Sequence, residues 1–358
     1  MLRARLAATG LPIYRPPLGG RKGLRLDFNE NTSGCSPRVL ERVRSITADE
    51  IARYPEREPV EAIVAVHLGI DTNEALLTNG VDEAIHLLCE TFLEPDDEVL
   101  IVVPTFAMYE ISAAATGATV IAIPFDKDFQ FPTEKVLARA TDKTRLIAIA
   151  NPNNPTGSVA DSDELMKIVR GTPQAAVLID EAYFDFYGQT LLRMWRELPN
   201  VFVARTFSKA YGLAALRVGI LTGNAEHIAV VRRVGSPYNV NGVALACLPS
   251  ALEDAEYVRE YVRAVRHGRD ALRDEFSRWG VQNWPSQANF VLARFGSHKE
   301  PFIQAMRARG ILVRDRSSDH GCEGCVRLTL GTGEQTARLL EALREVFMEI
   351  RMKETVAK

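Results

Sequence analysis

No apolar stretch in this 358-residue chain approaches the roughly 20 residues a helix needs to cross a bilayer, so no membrane span is expected. Residues Met1 to Gly10 carry neither the apolar core nor the small-residue cleavage pattern of a secretory signal. Cysteine is scarce. The chain has five, an odd number, which argues against a disulfide framework and fits a reducing, cytoplasmic setting. Net charge is nearly absent: 43 Lys and Arg stand against 46 Asp and Glu, a formal balance of -3. Such a balance gives no field to gather nucleic acid or an acidic membrane surface, so an anionic ligand has to be held by local arginines. Also missing are a G-x-G-x-x-G after a strand and a G-x-x-x-x-G-K-S/T, which removes the main support for dinucleotide or nucleoside-triphosphate binding. Internal repeats and low-complexity segments are lacking too.

What is present reads as a globular enzyme, with 46% hydrophobic and 25% charged residues and enough length for one large or two medium domains. Apolar runs at 75–77, 99–103, 119–123, 146–150, 176–179, 201–204 and 218–221 alternate with helical stretches. Near-continuous Val, Ile and Leu points to strands covered on both faces, and strand-helix alternation to a mostly parallel α/β sheet. After about residue 245 the pattern changes. Val258, Val262, Val265, Leu272 and Phe276 mark a long amphipathic helix. Short strands are expected at 289–292, 311–313 and 326–330, with a helix near 302–309 and a last one carrying Leu339, Leu343, Val346 and Phe347. The expected organisation is an N-terminal arm (1–48) packing with a small α+β domain (246–358), beside a large domain (49–245).

The chemistry centres on the stretch from Thr206 to Arg217, between two apolar runs. Lys209 is an amine able to form a Schiff base with an aldehyde once deprotonated. Ser208 and Arg217, with Thr206, are the donors a phosphate needs. A lysine beside a phosphate cradle points to pyridoxal phosphate, although a Ser-Lys pair alone reads more readily as a solvated loop. The turn Thr78-Asn79-Gly80-Val81-Asp82 opens a helix and offers free backbone N–H groups to an anion, as any strand-helix turn does. Asp180 ends an apolar run, where α/β ligand sites lie; it would keep a pyridine nitrogen protonated, or merely cap the next segment. Tyr183 follows three residues on. Asn154 sits in Asn151-Pro152-Asn153-Asn154-Pro155-Thr156-Gly157, a loop stiffened by two X-Pro bonds, of which Asn154-Pro155 is a candidate cis bond. His320, Cys322 and Cys325 could be three zinc ligands, but no second pair completes a site, and a turn between strands is the expectation.

These motifs, in this order, resemble the pyridoxal-phosphate-dependent transferases of the aspartate-aminotransferase fold. Adding Asn29-Glu30-Asn31, Tyr54-Pro55-Glu56, Pro104-Thr105-Phe106-Ala107-Met108-Tyr109, Val313-Arg314-Asp315 and Val326-Arg327-Leu328-Thr329-Leu330-Gly331, the chain most resembles the histidinol-phosphate aminotransferases. The resemblance runs from about Leu26 to the last helix. It implies an exchange of an amino group between L-histidinol phosphate and 2-oxoglutarate, giving imidazole-acetol phosphate and L-glutamate.

The resemblance also implies roles. Lys209 holds the cofactor and then shuttles a proton. Asp180 meets the ring nitrogen, and Tyr183 and Asn154 meet the ring oxygen. Gly80, Val81, Asp82, Thr206, Ser208 and Arg217 hold the cofactor phosphate. Tyr109 stacks on the ring. Arg314 takes the substrate phosphate and Arg327 a carboxylate, with Tyr14 and Asn29 nearby. Tyr54 reaches the site of a partner subunit, which implies a homodimer. From composition alone, Tyr54 and Tyr109 read equally as packing residues and the two arginines as solvated charges. Relatives acting on aromatic amino acids, or decarboxylating threonine phosphate, share the cofactor residues. A non-catalytic regulatory module of this fold would need a DNA-binding domain, for which the roughly 50 residues before the sheet show no pattern.

Overall fold

The computed structural model describes residues 2–17 and 19–356, with side chains described through 350; Met1, Leu18 and residues 357–358, within the expected arm and C-terminal unit, lie outside the described residues. The strands are β1 (Leu24–Arg25), β2 (Ala75–Thr78), β3 (Glu98–Val103), β4 (Thr119–Pro124), β5 (Thr144–Ala150), β6 (Ala176–Asp180), β7 (Val201–Thr206) and β8 (Gly219–Gly223), followed by β9 (Gln282–Asn283), β10 (Phe290–Arg294), β11 (Ile311–Leu312), β12 (Arg314–Asp315) and β13 (Cys325–Thr329).

Seven of these form one sheet in the order β2-β8-β7-β6-β5-β3-β4. Its five central and edge strands from β7 to β4 run parallel, while β8 is antiparallel to both of its neighbours. The apolar runs explain how this sheet is buried. Side chains alternate across a strand, so Leu100, Val102, Ile147, Ile149, Val177 and Ile179 enter one core. Their neighbours Val99, Ile101, Leu146, Ala148, Ala176 and Leu178 enter another, on the opposite face. Both faces are therefore dry. From β3 the chain steps outward to β4, then returns to the other side of β3 as β5, β6 and β7. That reversal opens a crevice beyond the carboxyl ends of β3 and β5, where α/β sheets bind ligands.

The C-terminal unit is built on the antiparallel sheet β12-β13-β10-β9, covered by the helices Ala255–Trp279, Lys299–Ala308 and Gly333–Val356. Its core joins Phe276, Phe290, Phe302, Leu328 and Leu343. Two of the helices approach closely at Gly268, where a Cβ would lie 2.7 Å from the Thr336 hydroxyl.

Packing divides the chain differently from the expected boundaries. The helix Gly242–Glu253 crosses residue 245, yet Leu245, Leu248, Ala251 and Leu252 all belong to the large-sheet core. The large unit therefore extends to about 253. The expected arm is also shared. Leu26 enters the C-terminal core and β1 pairs with β11, whereas Val39, on the helix Pro37–Ser45, enters the large-sheet core. Before β1, among the described residues, the arm has one helical turn at Leu6–Thr9 and a further turn at Gly19–Gly20, and Arg5 donates to the Ala115 carbonyl of the large unit.

Glu61 ties the helix Glu58–Leu68 to the sheet edge. It is 1% exposed, accepts from the Leu77 N–H at 2.8 Å, and pairs with Arg57 at 3.1 Å and Arg232 at 2.8 Å. Removing it leaves two guanidiniums without their carboxylate and a buried N–H unpaired. Glu61→Ala should destabilise the fold by about 3–5 kcal/mol in chemical denaturation, whereas an unchanged midpoint would show that the tie is dispensable.

Candidate active site

Asp180 is the last residue of β6 and opens into the crevice at 5% exposure. One carboxylate oxygen accepts from the Ala182 N–H at 3.0 Å, the other from the Tyr109 hydroxyl at 2.5 Å. Burial pushes this carboxyl up to about 6 against the opposing pull of those two bonds. Burial and the neighbouring charge of Asp180 raise the Tyr109 phenol well above its usual range, so it remains a donor. The Tyr109–Asp180 contact joins residues 71 positions apart and was not foreseen from the motif.

Lys209 lies on the turn between β7 and β8. The turn is pinned by the Phe207 N–H to the Val218 carbonyl at 3.2 Å and the Leu213 N–H to the Phe207 carbonyl at 3.0 Å. The Lys209 Nζ is 3.4 Å from the Phe28 carbonyl and 5.8 Å from the centre of the Tyr183 ring. The Tyr183 hydroxyl accepts from the Asn29 Nδ2 at 2.9 Å, and Asn29 accepts in turn from the Thr329 hydroxyl at 3.0 Å. On the other side of Lys209, Gly80 opens the helix Gly80–Phe92 at φ +75, and a Cβ there would sit 2.8 Å from an Arg217 nitrogen. Only glycine lets that guanidinium come so close to the helix start. Arg217 pairs with Asp82 at 3.0 Å. The Thr206 hydroxyl accepts from the Ser208 N–H at 3.1 Å, which orders the turn.

Asn154 sits on the proline-stiffened loop, whose Asn151–Pro152 and Asn154–Pro155 bonds are both cis, as is Val103–Pro104. Its Oδ1 accepts from Arg327 at 2.5 Å, and Arg327 also donates to the Asp27 carbonyl at 2.7 Å. Burial lowers the Arg327 guanidinium to about 10. Arg314 on β12 stands opposite Arg327 on β13 and lies 5.1 Å from the centre of the Phe28 ring. Among the described residues it has no ion-pair partner.

Two adjoining cavities result. The first, about 250 Å³, is lined by Lys209, Asp180, Tyr183, Asn154, Tyr109 and Arg217, with Val81, Asp82, Thr206 and Ser208. The second, about 280 Å³, shares Lys209, Tyr183 and Asn154 and adds Tyr14, Asn29, Arg314 and Arg327. Apart from Gly80, which backs the first cavity beside Arg217, and Tyr54, the expected site residues converge from the N-terminal segment, the helix Gly80–Phe92, β3, β5, β6, the β7–β8 turn and the C-terminal hairpin. Tyr54 lines neither cavity; it is 78% exposed and stacks on Tyr238 with centroids 4.5 Å apart.

Several lining residues escaped the sequence reading, among them Phe28, Phe106, Arg316 and Asp319. Arg316 had a signal, since it follows Arg314 by two positions, the spacing that returns to the same face of a strand. Phe28 and Phe106 had none beyond their motif neighbours. Cys322 and Cys325 are wholly buried in a small cluster with Phe129, Trp284 and Leu292, joined by a turn hydrogen bond of 2.9 Å. Among the described residues no three His, Cys, Asp or Glu side chains group as metal ligands. Chemically, the paired cavities offer an amine, a dry acid, an oxyanion cradle at a helix start and unspent guanidiniums.

Comparison with known proteins agrees. A family model described as aminotransferase class I and II matches residues 21–343. A histidinol-phosphate aminotransferase of Geobacillus sp. (strain WCH70) is 34% identical over 357 residues, covering 95% of this chain and 97% of the relative. The structure of the Sinorhizobium meliloti histidinol-phosphate aminotransferase, solved with pyridoxal-5'-phosphate, superposes with a TM-score of 0.88 at 23% identity, covering 98% of this chain and 99% of that one. A Thermus thermophilus aspartate aminotransferase variant gives 0.79 at 21% identity, over 97% and 100% of the two chains, so the fold is that of aspartate aminotransferase. With its fold, its converging site and most of its length matched, this chain belongs to the class I and II aminotransferases.

Proposed function

We propose that the chain is a pyridoxal-phosphate-dependent aminotransferase that moves the amino group of L-histidinol phosphate to 2-oxoglutarate. The observation that carries this reading is the joining of the two cavities at Lys209, with a buried acid on one side and unneutralised arginines on the other. The donor set suits the cofactor. Gly80 lets the Arg217 guanidinium lie against the helix start, Ser208 lies on the same wall, and among the described residues Asp180 lacks a cationic partner.

When bound, the cofactor supplies an aldehyde and an electron-withdrawing ring that stabilises negative charge on the substrate α-carbon. Lys209 holds the aldehyde carbon at rest. Once free of it, the Lys209 amine would be the base that takes the substrate α-proton and the acid that returns it on the cofactor side. Asp180 keeps the proton on the ring nitrogen, and Tyr109 both orients that carboxylate and gives the ring an aromatic wall. Tyr183 and Asn154 hold the ring oxygen. Gly80, Val81, Asp82, Thr206, Ser208 and Arg217 surround the phosphate. Arg327 takes the α-carboxylate of glutamate and Arg314 the phosphate of histidinol phosphate, with Tyr14 and Asn29 closing that end.

The reading includes a homodimer in the cytoplasm. Helices Pro37–Ser45, Ala48–Ala52 and Glu58–Leu68 leave Leu40, Val43, Ile51, Ile63 and Val66 exposed around Tyr54, an apolar surface suited to a second copy. Tyr54, exposed and outside its own cavities, is free to complete the partner's site.

A single-turnover absorbance titration tests the substrate. L-histidinol phosphate should convert the cofactor spectrum at far lower concentration than L-phenylalanine or L-tyrosine, and the reverse order would overturn the assignment. Lys209→Ala should lose both half-reactions and the borohydride label on its peptide. Arg314→Ala should weaken histidinol phosphate by about tenfold to a hundredfold and glutamate much less; equal losses would remove Arg314 from the phosphate end.

Asp180 gives a pH test. Its carboxyl is held near 6 by burial, above its ordinary 3.8. A raised carboxyl favours the fold below its unfolded value, and that contribution is lost as pH rises through about 6. Above pH 6 the apoprotein therefore carries a buried charge costing on the order of 2–3 kcal/mol, which asparagine would not carry. Asp180→Asn apoprotein should melt higher than the parent above pH 6, with the gap closing toward pH 4, while amino transfer falls at least about a hundredfold. A gap independent of pH would contradict the assignment of that charge.

A further inference from the structure

We propose that Arg316 is the residue that makes this pocket prefer a phosphate to a carboxylate, and that Asp319 positions it. The inference rests on the aminotransferase reading and concerns the same substrate end. Arg314, Arg316 and Arg327 all line the cavity next to Lys209. Arg314 and Arg327 are direct cross-strand partners, an arrangement of like charges that costs stability unless an anion lies between them. Two acids line the same cavity, Asp27 and Asp319. Asp27 is taken by Arg21, which grips it with bonds of 3.0 and 2.7 Å. Asp319 alone remains, and it pairs with Arg316; the two side chains are 19% and 15% exposed.

Three guanidiniums and one free carboxylate leave two positive charges. That balance suits both partners of the reaction, since glutamate carries two carboxylates and a phosphate monoester about two charges. The distribution differs. Glutamate's carboxylates are apart, with the α-carboxylate at Arg327, so neither draws on Arg314 and Arg316 together. Histidinol phosphate places all its charge on one group with three acceptor oxygens, and that group has a use for a third donor. The unspent donors are present: the Nε atoms of Arg316 and Arg327 are buried without a hydrogen-bond acceptor. Asp319 Oδ2 meets the Arg316 guanidinium at a terminal nitrogen, so the Nε of Arg316 stays available.

The loop carrying this pair is fixed. Asp315 accepts from the Ser317 N–H at 2.8 Å, and turns of 3.0, 3.0 and 2.9 Å link Arg316 to Asp319, Asp319 to Cys322, and Cys322 to Cys325. The Arg316 N–H closes the loop on the Cys325 carbonyl at 3.0 Å. A loop so tied holds its arginine at a set height over the cavity, as selective recognition requires.

The test compares the holoenzyme with Arg316→Gln, Arg316→Lys and Asp319→Asn, each substrate being measured in its own half-reaction. Arg316→Gln should raise KM for L-histidinol phosphate by about tenfold to a hundredfold and weaken competitive inhibition by inorganic phosphate by the same factor, with glutamate constants moving far less. Arg316→Lys should recover part of the loss, since an ammonium restores charge without the planar fork. Asp319→Asn should give a smaller loss with the same substrate bias. Equal changes for both substrates, or phosphate inhibition that does not move, would overturn the proposal. Should Arg316→Gln not fold, phosphate inhibition of Arg316→Lys decides. An unmodified enzyme that fails to use L-histidinol phosphate would sink the substrate reading instead.

Discussion

The carboxylate of Asp180 is an ion removed from water, and much of the molecule serves to keep it there. Two cores seal the faces of the sheet on either side of β6, so its last residue emerges into a crevice walled by protein. An amide N–H and a phenol are its hydrogen-bond donors, and neither carries positive charge. Two neutral donors offset part of the desolvation but not all of it, which is why the carboxyl holds its proton to about pH 6. The unmet part is an affinity. A protonated ring nitrogen is the partner that would satisfy it, and the protein therefore carries a standing preference for the charged form of that ring.

The opposite sign is treated the same way on the other side of Lys209. Arg327 is buried among neutral acceptors, the Asn154 side chain and the Asp27 carbonyl, and burial lowers its guanidinium to about 10. Asn154 links the two ends, because it lines both cavities and holds Arg327 by its own oxygen. An anion arriving at Arg327 must reorganise that amide as well, so occupation of the substrate end is felt at the cofactor end through one side chain. Dipoles and charges set in place before the substrate arrives need little rearrangement when the reaction begins.

Most of this was legible in the chain, and the rest fails for identifiable reasons. The runs at 146–150 and 176–179 gave β5 and β6 because strands dry on both faces need unbroken apolar sequence. Lysine, aspartate, asparagine and arginine positions were legible because each lies at the end of such a run or on a turn with its own composition. The helix Gly242–Glu253 was split at 245 because its sequence does not say which core it enters; that is decided by packing against segments such as the helix Pro37–Ser45, some 200 residues earlier. Tyr109 and Asp180 belong to different motifs, and their hydrogen bond exists only because β3 and β6 both flank β5. Arg316 and Asp319 depend on the pairing of β12 with β13, which short strands do not announce.

A near-neutral chain hides two kinds of buried charge, paired and unpaired, and the candidate site gathers several of the second kind. Glu61 has Arg57, Arg232 and the Leu77 N–H. Glu181 has Arg205, the Thr190 hydroxyl and the Leu191 N–H. Glu275 has Arg344 and the Trp279 indole. Each of these acids meets cationic and neutral donors supplied by the chain itself, so each is a finished structural tie that no ligand could improve. Among the described residues Asp180 has no cationic partner, Arg314 no ion-pair partner, and Arg327 only neutral acceptors and an idle Nε. Charged groups left unfinished away from water are costly to the fold; Asp180 and Arg327 are buried, Arg314 half-buried, and all three border the cavities that meet at Lys209. On the proposed reading the missing partners are the charged ring and the anionic substrate, and the stability forgone in their absence is returned as binding.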